Sequence, residues 1–321
     1  MKVNHQISRL TLGGGGLGNV WGKTTREDAI KTVLAAVDSG INLLDMAPMY
    51  GRKREAEHVV GETFKGKKPE HVKVLTKCFV GNKEANEIEG QLRHSLKKSL
   101  NAMQIQFVDF FILHSNIVPD EWINPMKGEA DVCTRWSAYI NGFIPAVEKL
   151  KAEGLIKNWG ITGVGEPLTI IKALKYHKKP KCVEVIANCM DLLGGMKRFY
   201  GPAMPREIMK VAHDNDVLIF GIRAVAAGSL CDTIDRDVPI DSPTQIDYFK
   251  ATKIREYAKK KGVSTAYLMH RYAISMPYVT TIILGVKNLD ELNECLLAEK
   301  HGKLTEIEMN EIDQLSQFAR L

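Results

Sequence analysis

Long apolar runs are missing from this 321-residue chain. No stretch reaches the roughly 18 residues that span a bilayer. The opening residues Met1-Lys2-Val3-Asn4-His5-Gln6 carry no apolar segment of the secretory kind. A soluble, cytoplasmic protein without a membrane partner is expected. Paired cysteine spacings are missing too. Cys78, Cys133, Cys182, Cys189, Cys231 and Cys295 are scattered with no CxxC among them, which argues against a zinc site or redox pair and for reduced thiols. Neither sign of charge dominates: 44 Lys+Arg against 38 Asp+Glu give a net +6. The short basic runs near Lys65, Lys175 and Lys259 lack the interleaved aromatics of a nucleic-acid surface, so no nucleic-acid partner is expected. No Ser/Pro-rich linker divides the chain, and 45% hydrophobic residues exclude disorder and allow one large core.

What is present is alternation. Runs rich in β-branched and apolar residues occur at 8–13, 41–44, 72–76, 107–113, 157–161, 183–187, 217–222 and 279–284. Between them lie helix-period segments such as 25–39, which follows the cap candidates Thr24 and Thr25 and stops at Gly40, and 84–100, with Ile88, Leu92, Leu96 and Leu100 on one face. Eight βα units predict a single (β/α)8 barrel over residues 1–321 with extended loops at its carboxyl-terminal face. An open doubly wound sheet is the competitor. The stretch Gly13–Gly18 is a formal match to its phosphate loop, but Asn19–Thr24 separate it from the next helix, so the helix terminus would not reach a pyrophosphate. These glycines are read instead as letting a cofactor ring approach the backbone at the barrel mouth. Two connections, 115–142 and 224–245, are long enough to suggest function, and Trp122 and Trp136 in the first, with Trp21, are candidate walls of a substrate pocket.

Parallel barrels place their chemistry at the carboxyl ends of strands. There the sequence puts Asp45 and then Tyr50 after the second run, Lys77 after the third and His114 after the fourth. Singly each has a structural explanation. Together they form a set that protonates an oxyanion: a tyrosine hydroxyl as proton source, a lysine beside it, an aspartate holding that lysine charged, and a histidine donating to the carbonyl.

Here the sequence resembles the aldo-keto reductases. Leu10–Gly15, Asn42–Asp45 through Tyr50-Gly51, Leu75-Thr76-Lys77, Val108-Asp109 through Leu113-His114, Leu150–Ile161 and Ile283–Val286 match in order and spacing. The resemblance implies a barrel that binds an extended nicotinamide cofactor and reduces aldehydes or ketones, or oxidises a sugar or alcohol in reverse. Tyr50 is then the proton donor, Asp45 and Lys77 tune it, and His114 positions a small-molecule substrate. For the cofactor, Thr162-Gly163 stands where family members often have Ser-Asn. The family glutamine of the sixth strand aligns with Ala187, leaving Asn188 beside it. Arg223 and Val225 follow the seventh strand, with Arg223 a candidate for the pyrophosphate. Gly285, Lys287, Asn288, Glu291 and Glu294 resemble the family loop that meets the adenosine 2′-position. NADP is expected by that resemblance, with NAD the alternative that Glu291 favours. Two other readings stay open: a lyase forming a Schiff base on Lys77, and a cofactor-binding regulatory subunit of the same fold.

Overall fold

The computed structural model describes residues 7–125 and 131–317. Eight parallel strands close on themselves. They are β1 (Leu10–Gly13), β2 (Leu43–Asp45), β3 (Lys73–Cys78), β4 (Val108–Leu113), β5 (Ile156–Thr162), β6 (Cys182–Ile186), β7 (Leu218–Ile222) and β8 (Thr281–Leu284). Each pairs with its neighbours in sequence, and β1 closes the ring on β8, with Leu10 opposite Ile282 and Leu12 opposite Leu284. All eight expected runs are strands of this barrel, and helices fill the connections.

Alternation within each strand sorts the core into two layers. Leu43, Leu75, Phe110, Ile112, Cys182 and Phe220 fill the barrel interior, with the Phe110 and Phe220 rings edge to face at 5.4 Å. Leu44, Val74, Phe111, Val183 and Val185 face outward into the helix layer. The helix expected after Thr25 is Arg26–Asp38: the Thr25 side chain accepts from the Asp28 N–H, and Gly40 leaves it at φ +90°, where a Cβ would be strained. The next runs Ala85–Met103 behind a reciprocal Glu84/Glu87 capping box, with Ile88, Leu92, Leu96 and Leu100 buried as their spacing predicts.

The glycine stretch also has a packing role. Gly14–Leu17 form one helical turn wedged into the barrel rim. A Cβ on Gly13 would lie 2.1 Å from the Leu284 carbonyl oxygen, one on Gly16 2.0 Å from that of Val286, and one on Gly18 2.3 Å from that of Tyr50. Close packing of backbone on backbone is the reason for these glycines; Gly13 and Gly15 also line the cavity described next.

Candidate active site

Two residues beyond each interior core side chain, the strand reaches the carboxyl-terminal mouth with its side chain still pointing inward. Leu43 leads to Asp45, Leu75 to Lys77, Ile112 to His114 and Cys182 to Glu184. Three of the four expected residues therefore share one rim by strand parity alone. Tyr50 arrives from the loop after β2, through a turn in which its N–H donates to the Ala47 carbonyl and Gly51 takes φ +89°.

Lys77 Nζ donates to Asp45 Oδ1 at 2.5 Å and to Tyr50 Oη at 3.0 Å. The Tyr50 and His114 rings meet edge on, 6.0 Å apart. Sequence reasoning missed the fifth member: Glu184 Oε1 lies 2.7 Å from the same ammonium. Its signal was visible, since a glutamate amid Cys182-Val183 and Val185-Ile186, on a strand buried on both faces, must have a partner. Asp45, Lys77 and Glu184 are at most 2% exposed.

The charges follow from this enclosure. Burial lowers the Lys77 pKa, but Asp45 and Glu184 outweigh it and hold the ammonium well above the lysine value. Asp45 is raised above the carboxylate range by burial, against the attraction of Lys77 and with the repulsion of Glu184. At Tyr50 burial outweighs the pull of Lys77, and the hydroxyl is raised above the usual tyrosine value. Burial and then Lys77 push His114 down to about 3, so its imidazole is neutral.

Above this rim opens a cavity of about 700 Å³. Met49, Phe79, Asn116 and Val132 wall one end, beside His114; Thr162, Glu184, Arg223 and Val225 lie midway; Trp21, Gly285, Lys287, Glu291 and Glu294 form the far end. Several expected contacts fall elsewhere. Trp136 is buried in the helix layer against Tyr139 and Tyr176, with Lys172 over its ring. Trp122 lies under the Arg135 guanidinium. Neither lines the cavity, whereas Trp21 does wall it, beside Gly15 and Gly285. Ala187 shares the parity of Val183 and Val185 and faces the helices, so Glu184, in register with Thr162, stands where a strand-six polar contact belongs. Asn188 is fully buried: its amide donates to the Leu192 and Arg223 carbonyls and accepts from the Met190 and Leu192 N–H groups. It fixes the Arg223 loop instead of lining the cavity. Asn288 caps helix Leu289–His301 through the Glu291 N–H. Lys287 does line the cavity, but its ammonium is held by Asp235 at 2.6 Å and Glu291 at 2.5 Å.

Among the described residues, three buried side-chain polar atoms lack a hydrogen-bond partner: Tyr139 Oη, Glu184 Oε1 and Arg223 Nη2. Glu184 and Arg223 both border this cavity. Glu184 Oε1 keeps its ion-pair contact with Lys77; the Arg223 donor left open at the cavity wall marks a place built for a ligand. Arg223 offers a cation for an anionic group, and Arg223, Ala226, Ala227 and Gly228 all take positive φ around it.

Comparison with known proteins agrees with this geometry. The model of the aldo/keto reductase family matches residues 9–317. The chain belongs to that family of NAD(P)-dependent oxidoreductases. It is 25% identical over 315 residues to L-galactose dehydrogenase of Arabidopsis thaliana, covering 96% of this chain and 88% of that protein. It is 26% identical over 248 residues to the NADH-specific methylglyoxal reductase of Escherichia coli, covering 72% and 68%. The aldo/keto reductase from Klebsiella pneumoniae in complex with NADP and acetate shares the fold, at TM-score 0.68, 17% identity and coverage of 97% and 92%. No described helix is long and apolar enough to cross a membrane.

Proposed function

We propose that this protein is a single-domain enzyme that reduces the carbonyl of a small aldehyde or ketone, with Tyr50 as general acid. The contact chain Asp45–Lys77–Tyr50, with His114 edge on to the phenol, carries this reading. A nicotinamide cofactor supplies the hydride when bound, and its mid-cavity neighbours would be Thr162, Glu184 and Arg223. The protein's own part is the proton. As negative charge develops on the substrate oxygen, Tyr50 releases its proton toward it, and Lys77, 3.0 Å away, stabilises the phenolate left behind. His114, neutral through burial, donates a hydrogen bond to that oxygen without competing for the proton. The Schiff-base reading loses its support, because Lys77 is pinned and charged between two carboxylates, and an ammonium is no nucleophile.

Geometry at the adenosine end supports NAD(H) over the NADP(H) expected from family resemblance. Lys287 is already neutralised by Asp235 and Glu291, and Asp232 and Glu294 also border the cavity there. Arg236, over the Trp21 ring, adds a second cation there, but Asp232, Asp235, Glu291 and Glu294 outnumber it and Lys287, so a 2′-phosphate would enter a net negative surround, whereas a 2′-hydroxyl can donate to a carboxylate. Titration of NADH and NADPH by tryptophan quenching, with turnover over a panel of sugars, aldehydes and ketones, tests both parts. NADPH binding tenfold tighter than NADH would reverse the cofactor assignment, and no turnover with any carbonyl would remove the activity.

A further inference from the structure

Glu184 makes the buried cluster electrically odd. Asp45 and Glu184 bring two carboxylates to one ammonium, so the group carries one surplus negative charge when both are ionised, at 1–2% exposure. Surplus charge in such a place is costly. Glu184 Oε1 has no hydrogen-bond donor aligned on it, and the residue borders the cavity in register with Thr162. A carboxylate there differs from an amide in two ways: it accepts hydrogen bonds without donating any, and it is charged. Lys77 contacts both carboxylates but carries a single positive charge, so when both are ionised one negative charge is left for the cavity to answer.

Resting on the assignment of a nicotinamide cofactor to this cavity, we propose that Glu184 is the residue by which the site distinguishes the two redox states of that cofactor, favouring the oxidised one. The chemistry of the ring supplies the difference. A dihydronicotinamide is neutral, and loss of hydride leaves a ring with one positive charge. That charge appears beside Glu184 and restores balance to a cluster that is otherwise one cation short. In the same step the substrate oxygen takes its proton from Tyr50, leaving a phenolate beside Lys77; once that phenolate regains a proton from solvent, the positive ring and the surplus carboxylate remain as the uncompensated pair. Glu184 thus lowers the energy of the state reached after hydride leaves. It acts on the equilibrium between bound forms, which binding reads separately from its influence on Lys77 and Tyr50.

The readout is binding. Titrating wild-type protein, Glu184→Gln and Glu184→Asp with NAD+ and NADH, and with NADP+ and NADPH, by tryptophan fluorescence or calorimetry gives the ratio of oxidised to reduced affinity. Glu184→Gln keeps the size of the side chain and removes its charge. It should weaken the oxidised form roughly 10-fold, the worth of one unit charge at a partly screened distance, while leaving the reduced form unchanged or tighter. Glu184→Asp keeps the charge and should keep the wild-type ratio even if both affinities fall. A ratio that is the same in wild type and Glu184→Gln overturns the proposal, because a merely structural role would move both forms together. The wild type provides a measurement that needs no variant: the oxidised form should bind at least as tightly as the reduced, and a tenfold preference for the reduced form also overturns it. Wild-type protein that binds none of the four dinucleotides defeats the cofactor assignment itself, an outcome separate from an unchanged ratio.

Discussion

Lys77 answers two carboxylates at once, and that changes what its removal should do. Lys77→Met leaves Asp45 and Glu184 buried together without a cation, so the fold should lose roughly 3–5 kcal/mol, the cost of orphaning a buried charge. Adding Asp45→Asn should restore only part of this, and adding Glu184→Gln as well should restore most of it, with no return of turnover. Urea midpoints of the three variants measure the series, and a double variant as stable as the triple would contradict the part given to Glu184. Tyr50 gives the complementary case. Its hydroxyl is held by one hydrogen bond from Lys77, so Tyr50→Phe should leave the unfolding midpoint and dinucleotide affinity near wild type while turnover falls about 10²-fold or more. Near wild-type turnover in that variant would take Tyr50 out of the chemistry.

Elements explain which parts of the site could be read beforehand. Asp45, Lys77 and His114 end apolar runs, and a strand's two-residue period carries each to the inward side of the rim. The same period shows why Asn188 was misplaced: it lies past the end of β6, in a turn whose backbone bends away, and no periodicity survives there. Trp122 and Trp136 sit in an insertion whose path is set by contacts distant in sequence, such as the pairing of Ile117–Val118 with Thr134–Arg135. An aromatic residue in a long loop therefore says that something is covered, and not what. The β6–β7 connection yields its own expectation. Asn188 makes four hydrogen bonds, two with Leu192 and one each with Met190 and Arg223. Asn188→Ala should cost about 1–3 kcal/mol through the backbone groups left unpaired, and it should weaken dinucleotide binding while sparing the Tyr50 proton step at saturating cofactor. Loss of stability with unchanged dinucleotide affinity would separate Asn188 from Arg223.

Across the whole molecule, two buried groups of the rim pull stability in opposite directions as pH changes. His114 binds protons less readily folded than unfolded, about 3 against 6.5, so its share of stability grows as pH rises between those values. Asp45 binds protons more readily folded, above its ordinary 3.8, so its share shrinks as pH rises from there. Between about pH 4 and 6.5 the two oppose each other. His114→Asn should therefore fall further below wild type at pH 6.5 than at pH 4.5, and Asp45→Asn should gain on wild type over the same step. Denaturant midpoints at the two pH values, taken as differences from wild type, decide it; differences that do not move with pH would contradict both assignments. The turn Gly14–Leu17 has a consequence of another kind. Gly16 rests against Val286, next to Lys287, and Gly18 rests against Tyr50, so one short turn gauges the spacing between the parts of the cavity proposed to hold the adenosine and to donate the proton. In laboratory evolution toward new substrates, Met49 and Phe79, 50% and 37% exposed at the mouth, have room to diversify. Gly13, Gly16 and Gly18 have none, and recombined genes that take the two ends from different parents will succeed only where both parents carry this turn.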